Sequence, residues 1–63
     1  MRSSYIVIKL LYDIETSKGT FKAGEEHTLT GTSYSFTALK LGPDHYHMIH
    51  PGTYEVLEEY KKD

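Results

Sequence analysis

The sequence contains no cysteine, no tryptophan, no asparagine and no glutamine. Without cysteine there is no disulfide, no thiolate chemistry and no zinc site built on sulfur ligands. Without amide side chains the chain lacks the residues that read adenine edges through paired hydrogen bonds. The absence of cysteine fits a reducing compartment, and we expect a cytoplasmic protein.

The chain also lacks a long apolar run and a basic excess. The stretch Tyr5–Leu11 is too short to span a bilayer, and the start shows no signal-peptide cleavage pattern, so no membrane partner is expected. Seven Lys and Arg oppose nine Asp and Glu, which gives a net charge of −2. A protein that neutralises many phosphates normally carries a basic patch, whereas these lysines are scattered. Nucleic acid is therefore not the expected partner.

At 63 residues the chain has room for one domain, residues 1–63. A domain of this size buries only about 60% of the surface that its unfolded chain exposes. Small domains of this kind often depend on disulfides, metals or self-association. Because disulfides are excluded, the stability must come from tight packing, from self-association or from a metal bound by histidine.

Alternating apolar residues open the chain and predict a strand over Tyr5–Ile14. One parity is apolar throughout: Ile6, Ile8, Leu10, Tyr12 and Ile14. The other parity still carries Val7 and Leu11. Such a two-sided strand is usually central in its sheet or covered by another chain. Self-association into a homo-oligomer is therefore a second expectation.

Turn signals separate the remaining predicted strands, which are Thr20–Ala23, Glu26–Thr30, Tyr34–Leu41, His45–Ile49 and Tyr54–Tyr60. In the second of these, Leu29 is expected to face inward. The segment Tyr34–Leu41 carries apolar residues on both parities, which indicates a bulge or twist within it. Turns that recur every 8–12 residues predict a compact antiparallel barrel or sandwich.

Three segments carry a resemblance to the small SH3-like barrels. They are the opening apolar strand Tyr5–Tyr12, the turn phrase Phe21–Glu25, and the ending Ile49–Leu57. The resemblance implies an all-β, five-stranded, antiparallel SH3-like barrel and brings no catalytic residues with it. The chain as a whole also resembles short accessory proteins of phages and prophages in low-GC Gram-positive bacteria. This second resemblance implies an accessory factor that docks on a host protein.

The sequence offers little to an enzyme. It has no Gly-x-Ser-x-Gly elbow and neither of the common glycine-rich phosphate-binding loops. The paired carboxylates Glu25-Glu26 and Glu58-Glu59 are adjacent in sequence, so on a strand they point to opposite faces. We therefore predict a protein that is not an enzyme and has no cofactor.

Histidines near the C-terminal half form an alternative metal site. His45 and His47 are two residues apart and share a face on a strand, while His50 follows and Asp44 precedes them. These residue types would suit zinc or nickel. A metal site also needs ligands held by neighbouring hydrogen bonds. The interpretation that we favour is histidines at or near the surface without a metal.

Six of the eight aromatic residues are tyrosine, a residue enriched at protein interfaces. Tyr34 and Phe36 share a strand parity, as do Tyr46 and Met48, so each pair would either form an exposed patch or fill the core. The predicted binding residues are Tyr34, Phe36, Tyr46 and Tyr54. We predict a non-catalytic protein-interaction module. The alternative is a single-stranded nucleic-acid binder that stacks bases on Tyr34, Phe36 and Tyr46.

Overall fold

The computed structural model describes residues 3–62, so Met1, Arg2 and Asp63 of the predicted domain lie outside the described range. In chain order the elements are β1 (Tyr5–Leu10), β2 (Ile14–Thr16), β3 (Gly19–Phe21), β4 (Glu26–Thr30), α1 (Gly31–Phe36), β5 (Ala38–Gly42), β6 (His45–Met48) and β7 (Tyr54–Tyr60).

All strand pairs are antiparallel, which confirms the all-β class with one short helix added. Within the described residues the strands form three sheets: β4-β1-β7, β2-β3 and β5-β6. The five-stranded closed barrel is not shown, because residues 3–62 form seven strands and none of their sheets closes on itself. The physical reason is that α1 stands between β4 and β5, two strands that do not pair with each other.

The first strand is the centre of its sheet, as its two-sided apolar pattern predicted. Ile8 and Leu10 are buried, whereas Lys9 between them is exposed. The strand ends at Leu10 rather than continuing to Ile14, and the side chain of Tyr12 is 62% exposed. The chain leaves the sheet there and returns to strand structure in the β2–β3 hairpin.

The connection between β4 and β5 is helical, so the strand predicted over Tyr34–Leu41 is wrong in its first half. Six residues span about 9 Å as a helix but about 20 Å as a strand, and the helix lets a short connection join two neighbouring edges. Thr37 ends the helix in the left-handed region at φ 49°. This reversal explains the apolar residues on both parities, because it places both Ala38 and Leu39 in buried positions.

The core lies between one face of the three-stranded sheet and the β5–β6 hairpin. Five residues form its buried cluster: Ile8, Leu10, Leu29, Leu39 and Ile49. Four partly buried residues pack against that cluster: Ile6, Ile14, Phe21 and Tyr54. Burying one large apolar side chain stabilises the folded state by about 1.5–3 kcal/mol. Because the cluster is small, each member supplies a large share of the hydrophobic stabilisation. The inward orientation of Leu29 is confirmed.

Candidate functional site

Two of the most exposed large apolar residues, Phe36 and Met48, lie on neighbouring backbone segments. Phe36 at the end of α1 is 56% exposed, and Met48 at the end of β6 is 55% exposed. Between them the Ile49 N–H donates to the Thr37 carbonyl at 3.2 Å, so the two backbone segments run side by side. Tyr46 shares a strand face with Met48, because the two are separated by one residue on β6. We call Phe36, Tyr46 and Met48 the α1–β6 surface.

A cavity of about 460 Å³ opens between the β4-β1-β7 sheet and the β5–β6 hairpin. We call it the inter-sheet cavity. It lies where β4 and β5 face each other without hydrogen bonding, and Tyr46 belongs to its lining. The other polar residues of the lining are Thr28, Thr30, Thr32 and Ser33, together with Lys40 and His27. Apolar atoms come from Phe21, Leu29 and Leu39. Its volume falls within the range of small-molecule pockets, but its lining is more polar than theirs.

The hydroxyl-rich lining of the inter-sheet cavity was not predicted from the sequence. Thr32 and Ser33 were interpreted as a turn, and the threonines of β4 as ordinary strand residues. The available signal was the dense run of Ser and Thr around Gly31, which sequence reasoning assigned to a loop. Only the fold shows that this run borders an unpaired strand edge.

A second cavity, of about 570 Å³, adjoins the other side of α1. Both Tyr34 and Phe36 contribute to its lining, together with Ser3 and Ser4 from the chain start. The two aromatic residues were predicted to share a face, but on a helix residues two positions apart point to different sides. The two residues thus line the same cavity but make different contacts, because the Tyr34 hydroxyl reaches Glu59 on β7 whereas Phe36 is more than half exposed.

Tyr34 is half-buried and forms a defined polar contact. Its hydroxyl donates to Glu59 Oε2 on β7 at 3.0 Å. The hydrogen bond to this carboxylate, helped by burial and by the negative charge of Glu59, raises the pKa of Tyr34 above its ordinary value. Tyr34 therefore acts as a bridge between two elements rather than as a free interface side chain.

Tyr54, the fourth predicted binding residue, packs against the buried core cluster. It opens β7 opposite Leu10 of β1, on the face that looks towards the core. The structure thus places the four predicted binding residues apart: Tyr46 lines the inter-sheet cavity, Phe36 and Tyr34 line the second cavity, and Tyr54 packs on the core.

The three histidines of the alternative metal site do not form a ligand group. His45 and His47 lie on β6, where His45 is exposed and His47 is half-buried, and His50 follows beyond the strand. Among residues 3–62, no three His, Cys, Asp or Glu side chains are grouped so that they would hold a metal ion.

A polar cluster stabilises the turn before β4. The Lys22 backbone N–H donates to Glu25 Oε2 at 2.7 Å, and His27 Nε2 lies 3.0 Å from Glu25 Oε1. The Lys22 hydrogen bond is the main cause that lowers the pKa of Glu25 below its ordinary value; burial opposes it and the contact with His27 adds to it. The His27 ring also packs edge-on against Phe21, with ring centroids 5.2 Å apart. These contacts fix one wall of the inter-sheet cavity.

The closing strand forms a second exposed region that sequence reasoning did not single out. Five consecutive residues of β7, Glu55 through Glu59, are exposed. Val56 and Leu57 at its centre are 48% and 45% exposed. The sequence signal was a strand with no clear inward-facing parity.

No helix within the described part of the chain is long and apolar enough to cross a membrane. Comparison with protein-family models, with curated proteins and with solved structures finds no significant match.

Proposed function

We propose that this chain is a non-catalytic protein-interaction module that binds its partner through the α1–β6 surface. The observation that carries the proposal is the exposure of Phe36 and Met48, each more than half accessible, on either side of the Thr37–Ile49 hydrogen bond. Burying one such side chain in a partner contributes about 1.5–3 kcal/mol. Six large apolar residues of the described chain are exposed, and these two lie on backbone segments joined by a hydrogen bond, which favours an external use for them.

The inter-sheet cavity strengthens this proposal because Tyr46 belongs to both features. Interfaces concentrate their binding energy where an anchoring side chain enters a pocket that is bordered by apolar residues. A partner that covers Phe36 and Met48 would place a side chain of its own within reach of Tyr46 and Lys40. The hydroxyls of the cavity would then supply hydrogen bonds to that side chain.

We also propose that the architecture is an opened relative of the SH3-like barrel. The support is the order of elements: the first strand pairs with the last and with β4, and β5–β6 forms a hairpin. A tight turn, in which the Thr53 N–H donates to the His50 carbonyl at 3.1 Å, precedes the closing strand. In this proposal α1 takes the place of the pairing between β4 and β5. The chain is then an accessory factor that docks on a host protein at the opening between these two strands.

Single-stranded nucleic acid is the second candidate that the aromatic content suggests. It would stack bases on Phe36 and Tyr46, but these residues line different cavities, and Tyr34 is engaged with Glu59. The chain has a net charge of −2, and phosphate binding would need a basic surface. A protein partner is therefore the better-supported ligand.

Affinity capture from a bacterial lysate, with and without nuclease, tests the proposal. The bait is compared with Phe36→Ser and Met48→Thr, and with Leu11→Thr as the matched control, since Leu11 is 44% exposed outside the α1–β6 surface. Thermal melting first establishes that every bait is folded. We expect one protein to be captured by the wild type and the control in both nuclease conditions, and to be lost with both surface variants.

Two outcomes contradict the proposal. Capture that disappears after nuclease treatment would identify the nucleic-acid alternative. Capture that is equal for the wild type and both surface variants would place the interface away from Phe36 and Met48.

A further inference from the structure

The free edge of β7 is a second surface with recognition chemistry of its own. β7 pairs with β1 on one side and is the outer strand of its sheet within the described residues. At seven residues it is also the longest strand of the described chain. A free strand edge presents backbone N–H and C=O groups that another extended chain is able to pair with.

The side chains along this edge are accessible as well as its backbone. All residues from Glu55 to Glu59 are exposed, and Val56 and Leu57 form an apolar centre at 48% and 45% exposure. The pairing register with β1 shifts between Val7 and Ile8, which leaves Leu57 as the extra residue of a bulge. The edge is thus an apolar centre with carboxylates at both ends.

The exposed stretch Glu55–Glu59 carries negative charge only, although Lys9 lies opposite Glu55 on β1 and two lysines follow the strand. Glu55, Glu58 and Glu59 contribute three carboxylates, and none of the three forms an ion pair within residues 3–62. On β1, Glu55 lies opposite Lys9 and Glu58 lies opposite Val7, so both glutamates point away from the core. Glu59 lies opposite Ile6, on the core-facing side. A strand added beside β7 would therefore meet negative charge on both of its faces.

This charge pattern opposes the pairings between two copies of the chain that centre on Leu57 or on Glu58. An antiparallel two-fold pairing centred on Leu57 would place Glu55 opposite the second copy's Glu59. A pairing centred on Glu58 would place that carboxylate opposite its own symmetry copy. Like charges directly opposite each other destabilise a strand pair, whereas opposite charges stabilise it. The favoured occupant is therefore a different chain that carries basic residues.

We propose that the free edge of β7 binds an extended segment of a partner protein, rich in lysine or arginine around a central apolar residue, by strand addition. Backbone hydrogen bonds supply the pairing, Val56 and Leu57 supply apolar contact, and the three glutamates select the basic sequence. This surface is separate from the α1–β6 surface, so the two proposals stand or fall independently.

The probe is the capped peptide Lys-Val-Lys-Thr-Lys-Val-Lys, titrated into isotope-labelled full-length protein and followed by amide chemical shifts. We expect the amides of residues 54–60 to move, with binding that weakens several-fold as salt rises from 50 to 500 mM. The double variant Glu55→Gln and Glu58→Gln should weaken binding about fivefold. Glutamine keeps a hydrogen-bond acceptor for the Tyr5 hydroxyl, which donates to Glu58 at 2.6 Å. Glu15→Gln, an exposed glutamate on β2, is the matched control and should bind as the wild type does.

Two peptide controls separate charge from strand pairing. A peptide with glutamate in place of lysine should not bind, and a peptide that is N-methylated at alternate residues should bind at least tenfold more weakly. Equal binding of the lysine and glutamate peptides would overturn the charge argument. Full binding of the N-methylated peptide would overturn strand addition.

The location and the occupant are tested by the same titration. Chemical shift changes confined to α1 and β6, or no changes at millimolar peptide, would overturn the proposal. A dimer of the free protein would also overturn it, if Glu55→Gln strengthens that dimer and the peptide does not displace it. Met48→Thr should leave peptide binding unchanged. If this variant loses partner capture and still binds the peptide, both proposals are supported. Retained capture would contradict only the α1–β6 proposal, and lost peptide binding would contradict only the β7 proposal.

Discussion

The Tyr34 hydroxyl donates a hydrogen bond to the Glu59 carboxylate at 3.0 Å, and this contact ties α1 to β7 across 25 residues of sequence. The helix has no side-chain hydrogen bond at its N-terminal cap, so it relies on contacts of this kind to hold its position. The same contact anchors the C-terminal half of β7. It therefore connects the helix that carries Phe36 to the strand proposed to bind a basic segment.

Replacing Tyr34 with phenylalanine should change how stability depends on alkaline pH. The folded state holds the Tyr34 proton more tightly than the unfolded state does, because the pKa of Tyr34 is raised by Glu59. This contribution is complete below the ordinary tyrosine pKa of about 10 and is lost as pH rises through the higher folded value. The melting temperature of the wild type should therefore fall more steeply than that of Tyr34→Phe above about pH 10.

Thermal melts between pH 8 and 11.5 measure this difference. Tyr12→Phe is the control, since the side chain of Tyr12 is 62% exposed and lies in the bend after β1. Its curve should run parallel to the wild-type curve. Parallel curves for the wild type and Tyr34→Phe would show that Glu59 does not accept the hydrogen bond in solution.

Acid should remove a different contribution, centred on Glu25. Its lowered pKa means that the folded state favours the ionised carboxylate, mainly through the Lys22 N–H. This stability is present above the ordinary glutamate pKa of about 4.3 and is lost as pH falls through the lower folded value. Urea unfolding at pH 6 and at pH 3 should show a larger loss for the wild type than for Glu25→Gln.

Glu15→Gln provides the comparison for this acid effect. Glu15 is exposed on β2, opposite Thr20. We expect this variant to lose as much stability as the wild type over the same pH interval. If Glu25→Gln also loses as much as the wild type, the Lys22 hydrogen bond makes no net contribution.

The strands could be predicted where their pattern is local. Residues of β1 alternate between core and surface, and the bounds of β4 and β7 agree with the segments Glu26–Thr30 and Tyr54–Tyr60. Turn residues mark these strands directly in the sequence, because Gly and Pro restrict or permit particular backbone angles.

The helix could not be predicted from its own residues. Gly31–Phe36 contains glycine, serine, threonine and aromatic residues, none of which is a strong helix former. We attribute its conformation to its place between β4 and β5, which belong to different sheets, and to the contact with Glu59 far along the chain. Both causes are tertiary, so a reading of local periodicity assigned a strand instead.

The candidate sites divide in the same way. Tyrosine enrichment singled out Tyr46, which does line a cavity, but it also singled out Tyr54, which packs on the core. The edge position of β7 depends on the order of strands in the sheet. That order is not written in the segment itself, so sequence analysis identifies Glu58 and Glu59 only as adjacent carboxylates on opposite faces of a strand.

The core prediction with the largest expected effect concerns Leu39. This side chain is 1% exposed and carries the packing of β5 onto the buried cluster. Leu39→Ala should lower the free energy of unfolding by about 2–5 kcal/mol, because it removes buried methyl groups and leaves a cavity. Leu11→Ala, at 44% exposure, should change it by less than about 1 kcal/mol. Urea unfolding measures both, and equal effects would contradict the assignment of the core.

Thr37 offers a substitution that should stabilise the protein. It is the one non-glycine residue within positions 3–62 that has a positive φ, at 49°, and a β-branched residue is strained in that region. Thr37→Gly should raise the free energy of unfolding by about 0.5–1 kcal/mol, the relief of strain exceeding the added entropy of the unfolded chain. Its backbone contacts with Tyr34 and Ile49 need no side chain, so they should persist. Thr28→Gly, in the extended strand β4, should instead destabilise by a similar amount, since there glycine relieves nothing. Urea unfolding of both variants gives the comparison, and a loss of stability in Thr37→Gly as large as that in Thr28→Gly would contradict the left-handed conformation at the end of α1.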